Sequence, residues 1–408
     1  MKSSRSHCQC SWRANAIVVV CAVAIASALP VKAFQFSSGD LKGSFDTTLS
    51  FGGLYRLSDP SPSFYGASSS FNGIPGLQTS ENTDDGNLNF PKGVISQMAK
   101  TSHELELRYH DVGGLVRGYA FYDTQVMDHF QGRTPLSDDA IRRVGRGVEL
   151  LDLYAFAKVE LAGKPIDIRL GRQVLSLGES TFIPNGINVV NSVDLAKLRI
   201  PGAELKEALL PVNMLKISVP VTDRLTLEPY WLLEFRRNEI EPAGTYFSTN
   251  DFASRGGQKV MLGFGGLADS GTLGAIPRGA DRDSQRYNQG GISARLQMPE
   301  LNDTEFGFYY ARYNSRSPVV SAITPTTAIN SNLTGPLTAV FMRAGMPAAQ
   351  AAAQATAVFG AIVTAQTNPS ALTPTQAATL ASPSIQAAIN GAKSIALLTA
   401  AATGRYFV

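Results

Sequence analysis

Apolar and polar residues alternate with a period of two over long stretches of this chain, the spacing of a strand with two unlike faces. From Gly43 to Leu57, the residues Phe45, Thr47, Leu49, Phe51, Gly53, Tyr55 and Leu57 share one face, and Ser44, Asp46, Thr48, Ser50 and Arg56 share the other. Leu105, Leu107 and Tyr109 alternate with Glu104, Glu106, Arg108 and His110, and Val116, Gly118, Ala120 and Tyr122 with Arg117, Tyr119, Phe121 and Asp123. The clearest strand sets Leu151, Leu153, Ala155, Ala157, Val159 and Leu161 against Asp152, Tyr154, Phe156, Lys158 and Glu160. The same pattern predicts strands over 165–174, 213–219, 225–236, 290–297 and 304–313.

The connections decide what kind of sheet these strands make. Those at 111–114, 162–164, 221–224 and 298–303 are tight, whereas those after Leu57, Asp123, Val174, Arg236 and Tyr313 are long. Strict alternation of short and long connections, with strands long enough to cross a bilayer at a tilt, predicts an all-β, antiparallel transmembrane β-barrel rather than a soluble sandwich. Its interior is expected to be polar and its exterior apolar.

The N-terminus agrees with that destination. Lys2, Arg5 and Arg13 precede an uncharged apolar run from Ile17 to Leu29, and Val31 and Ala33 give the small residues of a cleavage site. A signal peptide over 1–33 is expected, leaving Phe34 as the first mature residue and the outer membrane as the localisation. The apolar run is shorter than the roughly 20 residues of a membrane anchor. All three cysteines, Cys8, Cys10 and Cys21, lie in this leader, so the mature chain has no disulfide or thiolate metal site. Removing its four basic residues from the 36 leaves 32 against 33 acids, turning the net charge of +3 into −1. Such a balance gives nucleic-acid binding no support.

Residues 34–337 carry the expected barrel strands and long loops, and 338–403 an Ala-rich stretch cut by Pro347, Pro369, Pro374 and Pro383 into short helical pieces. This stretch is expected to be a helical loop insertion outside the membrane rather than an inserted hairpin. Residues 404–408 begin a tenth strand where the chain stops; because single-chain bacterial barrels have even strand numbers, the barrel is expected to be incomplete in this chain, with strands missing after Val408.

Several stretches resemble the DUF1302 family of proteobacterial outer-membrane proteins. They are Gly43-Ser44-Phe45-Asp46-Thr47-Thr48-Leu49-Ser50, Asp84-Asp85-Gly86-Asn87-Leu88-Asn89-Phe90 and Arg169-Leu170-Gly171-Arg172-Gln173. The most specific run goes from Gly178-Glu179-Ser180-Thr181-Phe182 through Asn185-Gly186-Ile187-Asn188 and Asp194 to Pro201-Gly202-Ala203-Glu204-Leu205-Lys206, and Tyr246-Phe247-Ser248-Thr249-Asn250-Asp251-Phe252 adds another. Leu177 and Ser192 depart from the family pattern, which has Trp and Pro there. The resemblance implies a barrel that works with a periplasmic DUF1329 protein and an inner-membrane transporter of the resistance-nodulation-division type on hydrophobic compounds. Family members continue beyond the equivalent of Val408.

The connection from Leu175 to Leu210 is too apolar to lie free in water, with Phe182, Ile183, Ile187, Val189, Val190, Val193, Leu195, Leu198 and Ile200. It is expected either to plug the lumen or to form a self-packed outer lid. The candidate lumen and plug residues are Arg117, Asp152, Lys158, Arg169, Arg172, Glu179, Asp194, Lys197, Arg199, Glu204, Lys206, Glu228, Glu234 and Arg236, to which Glu207 is added as a pairing group. Their mixed signs suit a lumen network better than a one-sign ion filter. Enzymatic readings are weak: His103-Glu104-Leu105-Glu106-Leu107 lacks the second histidine of a zinc helix, and Gly263-Phe264-Gly265-Gly266 lacks a phosphate-loop frame. In Glu81-Asn82-Thr83-Asp84-Asp85-Gly86-Asn87 the EF-hand register fails, so an ordinary turn is favoured over calcium. No catalytic residue, metal or cofactor is expected. The expected function is a channel or transporter component for hydrophobic or amphipathic compounds, with outer-membrane lipid around it; a structural or adhesion protein, or an outer-membrane enzyme, is the alternative.

Overall fold

A computed structural model describes residues 27–30, 34–178, 186–271, 274–323, 333–400 and 404–408. Among them eleven strands form one antiparallel sheet: β1 (Ser27–Pro30), β2 (Phe34–Ser38), β3 (Leu41–Arg56), β4 (Gly93–Tyr109), β5 (Val112–Asp123), β6 (Arg146–Leu161), β7 (Lys164–Gln173), β8 (Val212–Pro220), β9 (Leu225–Leu232), β10 (Gln289–Met298) and β11 (Thr304–Arg312). From β3 onward each strand pairs with the next along the chain. The order ends at β11 on one side, and on the other β1 and β2 lie along β3, so the described sheet is open and is not a closed barrel.

Tight turns fix the register at one end. Ala162 and Gly163 join β6 to β7 with φ of 53° and 72°, the pair of left-handed residues that a two-residue hairpin with the right twist requires. The connections at the opposite end, 57–92, 124–145, 174–211 and 233–288, are long and carry their own short elements.

The two faces differ as the period-two pattern requires. One exposes Phe51, Tyr109, Val112, Leu153, Leu161, Leu170, Trp231, Phe308 and Tyr310, with Trp231 59% and Tyr310 66% accessible. The other carries Lys100, Arg117, Tyr119, Asp152, Tyr230 and Ser293, and is largely covered by chain from the long connections. One residue departs from the expected alternation. Leu151 is 2% exposed and packs inward against Met98, Tyr119 and Phe121. The pairing skips from Val116↔Leu153 to Gly118↔Leu150, so Arg117 faces both Leu151 and Asp152 across a β-bulge, and the alternation shifts by one. Val148 and Leu150 therefore take the exposed face in place of Leu151.

Two ends also differ. β9 stops at Leu232 instead of running to Arg236, because Leu232 is buried inward and the chain then leaves the sheet, with Leu233 N–H donating to Asn213 O. Arg405–Phe407 forms a strand, but it pairs with Ser321–Ile323 away from the large sheet. Of the leader, only β1 is described, paired with Thr48–Phe51; the Ala33 cleavage position lies outside the described residues.

The Ala-rich stretch forms α-helices Thr334–Arg343, Ala348–Thr367, Pro374–Ala381 and Pro383–Ala400. Pro374 and Pro383 occupy first-turn positions where no amide donor is needed, and Thr373 and Gln376 form a reciprocal cap. Their shared core contains Leu337, Phe341, Ala355, Val358, Ile385 and Ile389, apart from the sheet's two clusters. Helix Ala348–Thr367 is long and apolar enough to cross a membrane.

The bulge makes a direct prediction. Leu151→Ala should destabilise the protein by about 2 to 5 kcal/mol because it empties a packed site, whereas Leu150→Ala on the exposed face should cost about 1 kcal/mol or less. Urea unfolding in detergent micelles followed by Trp231 fluorescence measures both, and equal losses would contradict the shifted alternation.

Candidate functional site

The described part of the connection between β7 and β8 packs its apolar residues mainly against the inner face of the sheet; Phe182 and Ile183 lie outside the described residues. Leaving β7, Leu175 and Leu177 turn inward and pack with Val190, Val212, Met214, Tyr230 and Leu232. The loop is closed by amide side chains: Asn191 Nδ2 donates to Leu175 O at 2.6 Å, its Oδ1 accepts from Leu175 N at 3.0 Å, and Asn188 Nδ2 donates to Gly178 O at 2.8 Å. Ser192–Val193 then pairs with Leu209–Leu210, bracketing two short helices, α1 (Leu195–Arg199) and α2 (Leu205–Ala208). Between them Ile200 packs on Met98, Tyr119, Phe121 and Leu151. Pro201 lies over Gly52 of β3, where an added Cβ would come within 2.5 Å of the proline ring, so a side chain there would displace the segment. Residues 186–210 thus lie across the charged face of the sheet.

Charge pairing holds this segment at several points. Lys100 on β4 donates to Glu207 Oε2 at 2.5 Å and to Gly202 O at 2.7 Å, both side chains of the ion pair being about 5% exposed or less. Lys197, fully enclosed, pairs with Glu149 on β6 at 3.1 Å and donates to Arg143 O at 2.8 Å. Its ammonium also stands 4.0 Å from the Phe121 ring centroid, a cation–π contact. Asp194 caps α1 by accepting from Ala196 N, and receives Arg143 Nη1 at 2.6 Å. Arg143 reaches Glu239 as well, at 2.9 Å, and Arg255 joins Glu239 from the other side, so two outer connections are strapped to the segment. Burial pushes the Lys197 ammonium below its ordinary value against the pull of Glu149 and Asp194, and pushes the Asp194 carboxyl up against Arg143 and Lys197. Desolvation outweighs the pairing in both, so either group left alone would be costly.

The expected residues fall into distinct places. Arg117 and Asp152 form an ion pair at the bulge, with Glu104 3.9 Å from Arg117. Arg169 lies over the Tyr154 ring, and Lys158 sits opposite Asp167 near the turn end. Glu228 joins Lys216 at 3.0 Å, Ser293 and Arg295. Arg172 is half-buried beside the charges of Asp152 and Arg236, while Arg236 donates to Pro211 O at 3.2 Å. Glu234 accepts from both nitrogens of Asn213. Arg199 pairs with Glu241 at 3.4 Å and lies over Phe247. Glu204 and Lys206 pair with each other at 3.0 Å on the accessible side of α2, and Glu204 also forms a reciprocal cap with Glu207. Glu179 lies outside the described residues.

Lys100, Arg143, Glu149, Glu239 and Glu241 complete the network without having been singled out. Lys100 had one available signal, as a cation flanked by the uncharged Met98 and Ser102 on the inward side of β4. Beside the segment a small cleft of about 50 Å³ is lined by Phe90, Ile95, Met98, Ile200, Tyr246 and Phe247. Glu241 stands at it, its carboxyl pushed up to about 7 chiefly by burial, with Arg199 pulling the other way.

Comparison with known proteins gives one positive result. A family model described as "Protein of unknown function (DUF1302)" matches residues 14–394, nearly the whole chain. No curated protein and no solved structure matches.

The Lys100–Glu207 contact can be tested as a pair. Lys100→Met alone should cost about 3 to 5 kcal/mol by leaving Glu207 buried without its cation, and adding Glu207→Leu should recover most of that loss. A double-mutant cycle in chemical unfolding reads the coupling. Additive losses would show that the segment is not held at this point.

Proposed function

The chain belongs to the DUF1302 family, and we propose that it is an outer-membrane β-barrel, narrowed from inside by residues 186–210, that serves as a channel or transporter component for hydrophobic or amphipathic compounds. One observation carries the proposal: the exposed face of the sheet is apolar and the covered face is charged, the reverse of a sheet whose oily side forms a soluble core. So large a contiguous apolar surface is not stable in water. On β5 the outward residues from Val112 to Tyr122 span about 33 Å along the strand. At the roughly 35–45° tilt of membrane barrels this gives about 23–27 Å of height, matching an apolar band of about 25 Å. Tyr55, Tyr122, Trp231 and Tyr310 lie toward the long-loop end of the outer face and Tyr109 at the turn end, where interfacial aromatic girdles belong.

Closure requires β3 and β11 to find partners, since lipid leaves no strand edge hydrated. The leader segment now alongside Thr48–Phe51 of β3 would be removed with the signal peptide, freeing that part of the edge, while β2 stays paired with Leu41–Phe45. The cargo class follows the family resemblance; the small cleft beside the segment is walled mainly by aromatic and aliphatic side chains, with Asp123, Arg199 and Glu241 as its charged groups. Partnership with a periplasmic DUF1329 protein and a resistance-nodulation-division transporter follows the family resemblance.

Membrane fractionation of the native host should place the full-length protein in the outer membrane, beginning at Phe34. In planar bilayers, replacing residues 187–206 by a short Gly-Ser bridge should raise single-channel conductance, because the segment covers the face that lines the lumen. Recovery from the soluble periplasm would overturn the location, and a folded deletion variant with unchanged conductance would overturn the constriction.

A further inference from the structure

Among the long connections, three meet around a group of carboxylates that the inward segment does not supply. Asp84 and Asp85 come from the first, Arg133 from the second, and Asp251 and Asp269 from the fourth. One oxygen each of Asp84, Asp85 and Asp269 lies within 4.8 Å of the others, the spacing of ligands around a single ion. Arg133 Nη2 stands among them, 2.6 Å from Asp269 Oδ2 and 3.2 Å from Asp85 Oδ1.

That arginine does not satisfy the group. Asp84 is completely buried; its Oδ2 accepts from Gly66 N at 3.0 Å, but its Oδ1 points toward Arg133 without a hydrogen bond, 4.0 Å from Nη2. Asp251 leaves a second orphan: Oδ2 accepts from Asp84 N at 2.9 Å while Oδ1 is buried without a partner. Glu81, 3% exposed, adds another negative charge nearby, occupied by Ser68 and Ser69. The neighbouring cation Lys259 donates to the carbonyls of Asp269 and Gly271 rather than to a carboxylate. Five acids therefore share one guanidinium. A planar guanidinium can point its donors at two carboxylates here but cannot reach the third, whereas a small spherical ion at the same focus can contact all three.

We propose that Asp84, Asp85 and Asp269 form a binding site for a divalent cation of the calcium type, which displaces Arg133 and ties the first and fourth outer connections together. The donors are all carboxylate oxygens, which selects a hard cation, and three carboxylates brought together from separate loops suit the flexible coordination of calcium better than the strict octahedron of magnesium.

The test is calcium titration of the full-length, EDTA-stripped protein in detergent at pH 8, by calorimetry and by thermal unfolding. Wild type should bind one calcium and unfold at a higher temperature with it. Asp269→Asn, at a partly accessible position, should weaken binding at least tenfold. Arg133→Met should tighten it, because it removes the competing cation. Were the arginine a permanent occupant of a purely structural cluster, wild type would take up no calcium and Arg133→Met would only destabilise. Calcium binding that both variants leave unchanged would place the ion elsewhere and equally overturn the proposal.

Discussion

Backbone pairing in an antiparallel sheet commits every side chain to one of two faces, and in this chain the faces have opposite chemistry. Nearly every other feature follows from that commitment. A charged inner face such as Lys100, Arg117, Asp152, Lys216 and Glu228 needs partners, since a buried unpaired charge costs several kcal/mol. An apolar outer face such as Phe51, Leu153, Trp231 and Phe308 needs a non-aqueous contact. The partners for the inner face come from two sources: charges on neighbouring strands, as in Lys216–Glu228, and charges carried in by the 186–210 segment, as in Lys100–Glu207 and Lys197–Glu149.

The segment is consequently more than a cover. Its apolar residues fill the gaps between Met98, Tyr119, Phe121 and Leu151 and between Met214, Tyr230 and Leu232, while its ions neutralise those left over on the strands. The outer connections fix it in turn, Arg143 holding Asp194 and Glu239 together. Wall, segment and loops therefore form one electrostatic unit, and disturbing Arg143 would be felt at Lys197, whose ammonium donates to the Arg143 carbonyl.

Strand positions and face chemistry were legible because both depend on local period. The alternation from Phe45 to Tyr55 and from Val112 to Tyr122 needs no knowledge of the neighbour. The bulge at Arg117 was not, since an extra residue becomes visible only when β6 is set beside β5; for that reason Leu151 reads outward in isolation. Its consequence is chemical as well as geometric, placing Leu151 beside the Tyr119 and Phe121 rings and Asp152 beside Arg117. The inward segment could be recognised as needing cover from Ile187, Val190 and Ile200, yet its direction depended on contacts such as Lys100–Glu207, 107 residues apart in sequence. Glu204 and Lys206 show the same limit: their types suit a lumen network, but α2 turns them away from the wall and only Glu207, on its other side, reaches Lys100.

Under the transport reading proposed above, the inner face also constrains what a passage along it can be. Tyr119, Phe121, Met98 and Leu151 form an apolar patch next to Lys100 and Glu149, so a bare wall would offer water both a poorly wetted surface and two charges robbed of Glu207 and Lys197. A molecule that displaced the segment would have to replace both contacts at once. An amphipathic compound does so more readily than a small ion, because its apolar part can take the place of Ile200 while its polar end meets the freed charges. The same logic explains why the segment's contacts are mixed rather than purely apolar: hydrophobic packing alone has little directionality, and the ion pairs at Glu207, Lys197 and Asp194 fix where along the wall the segment lies.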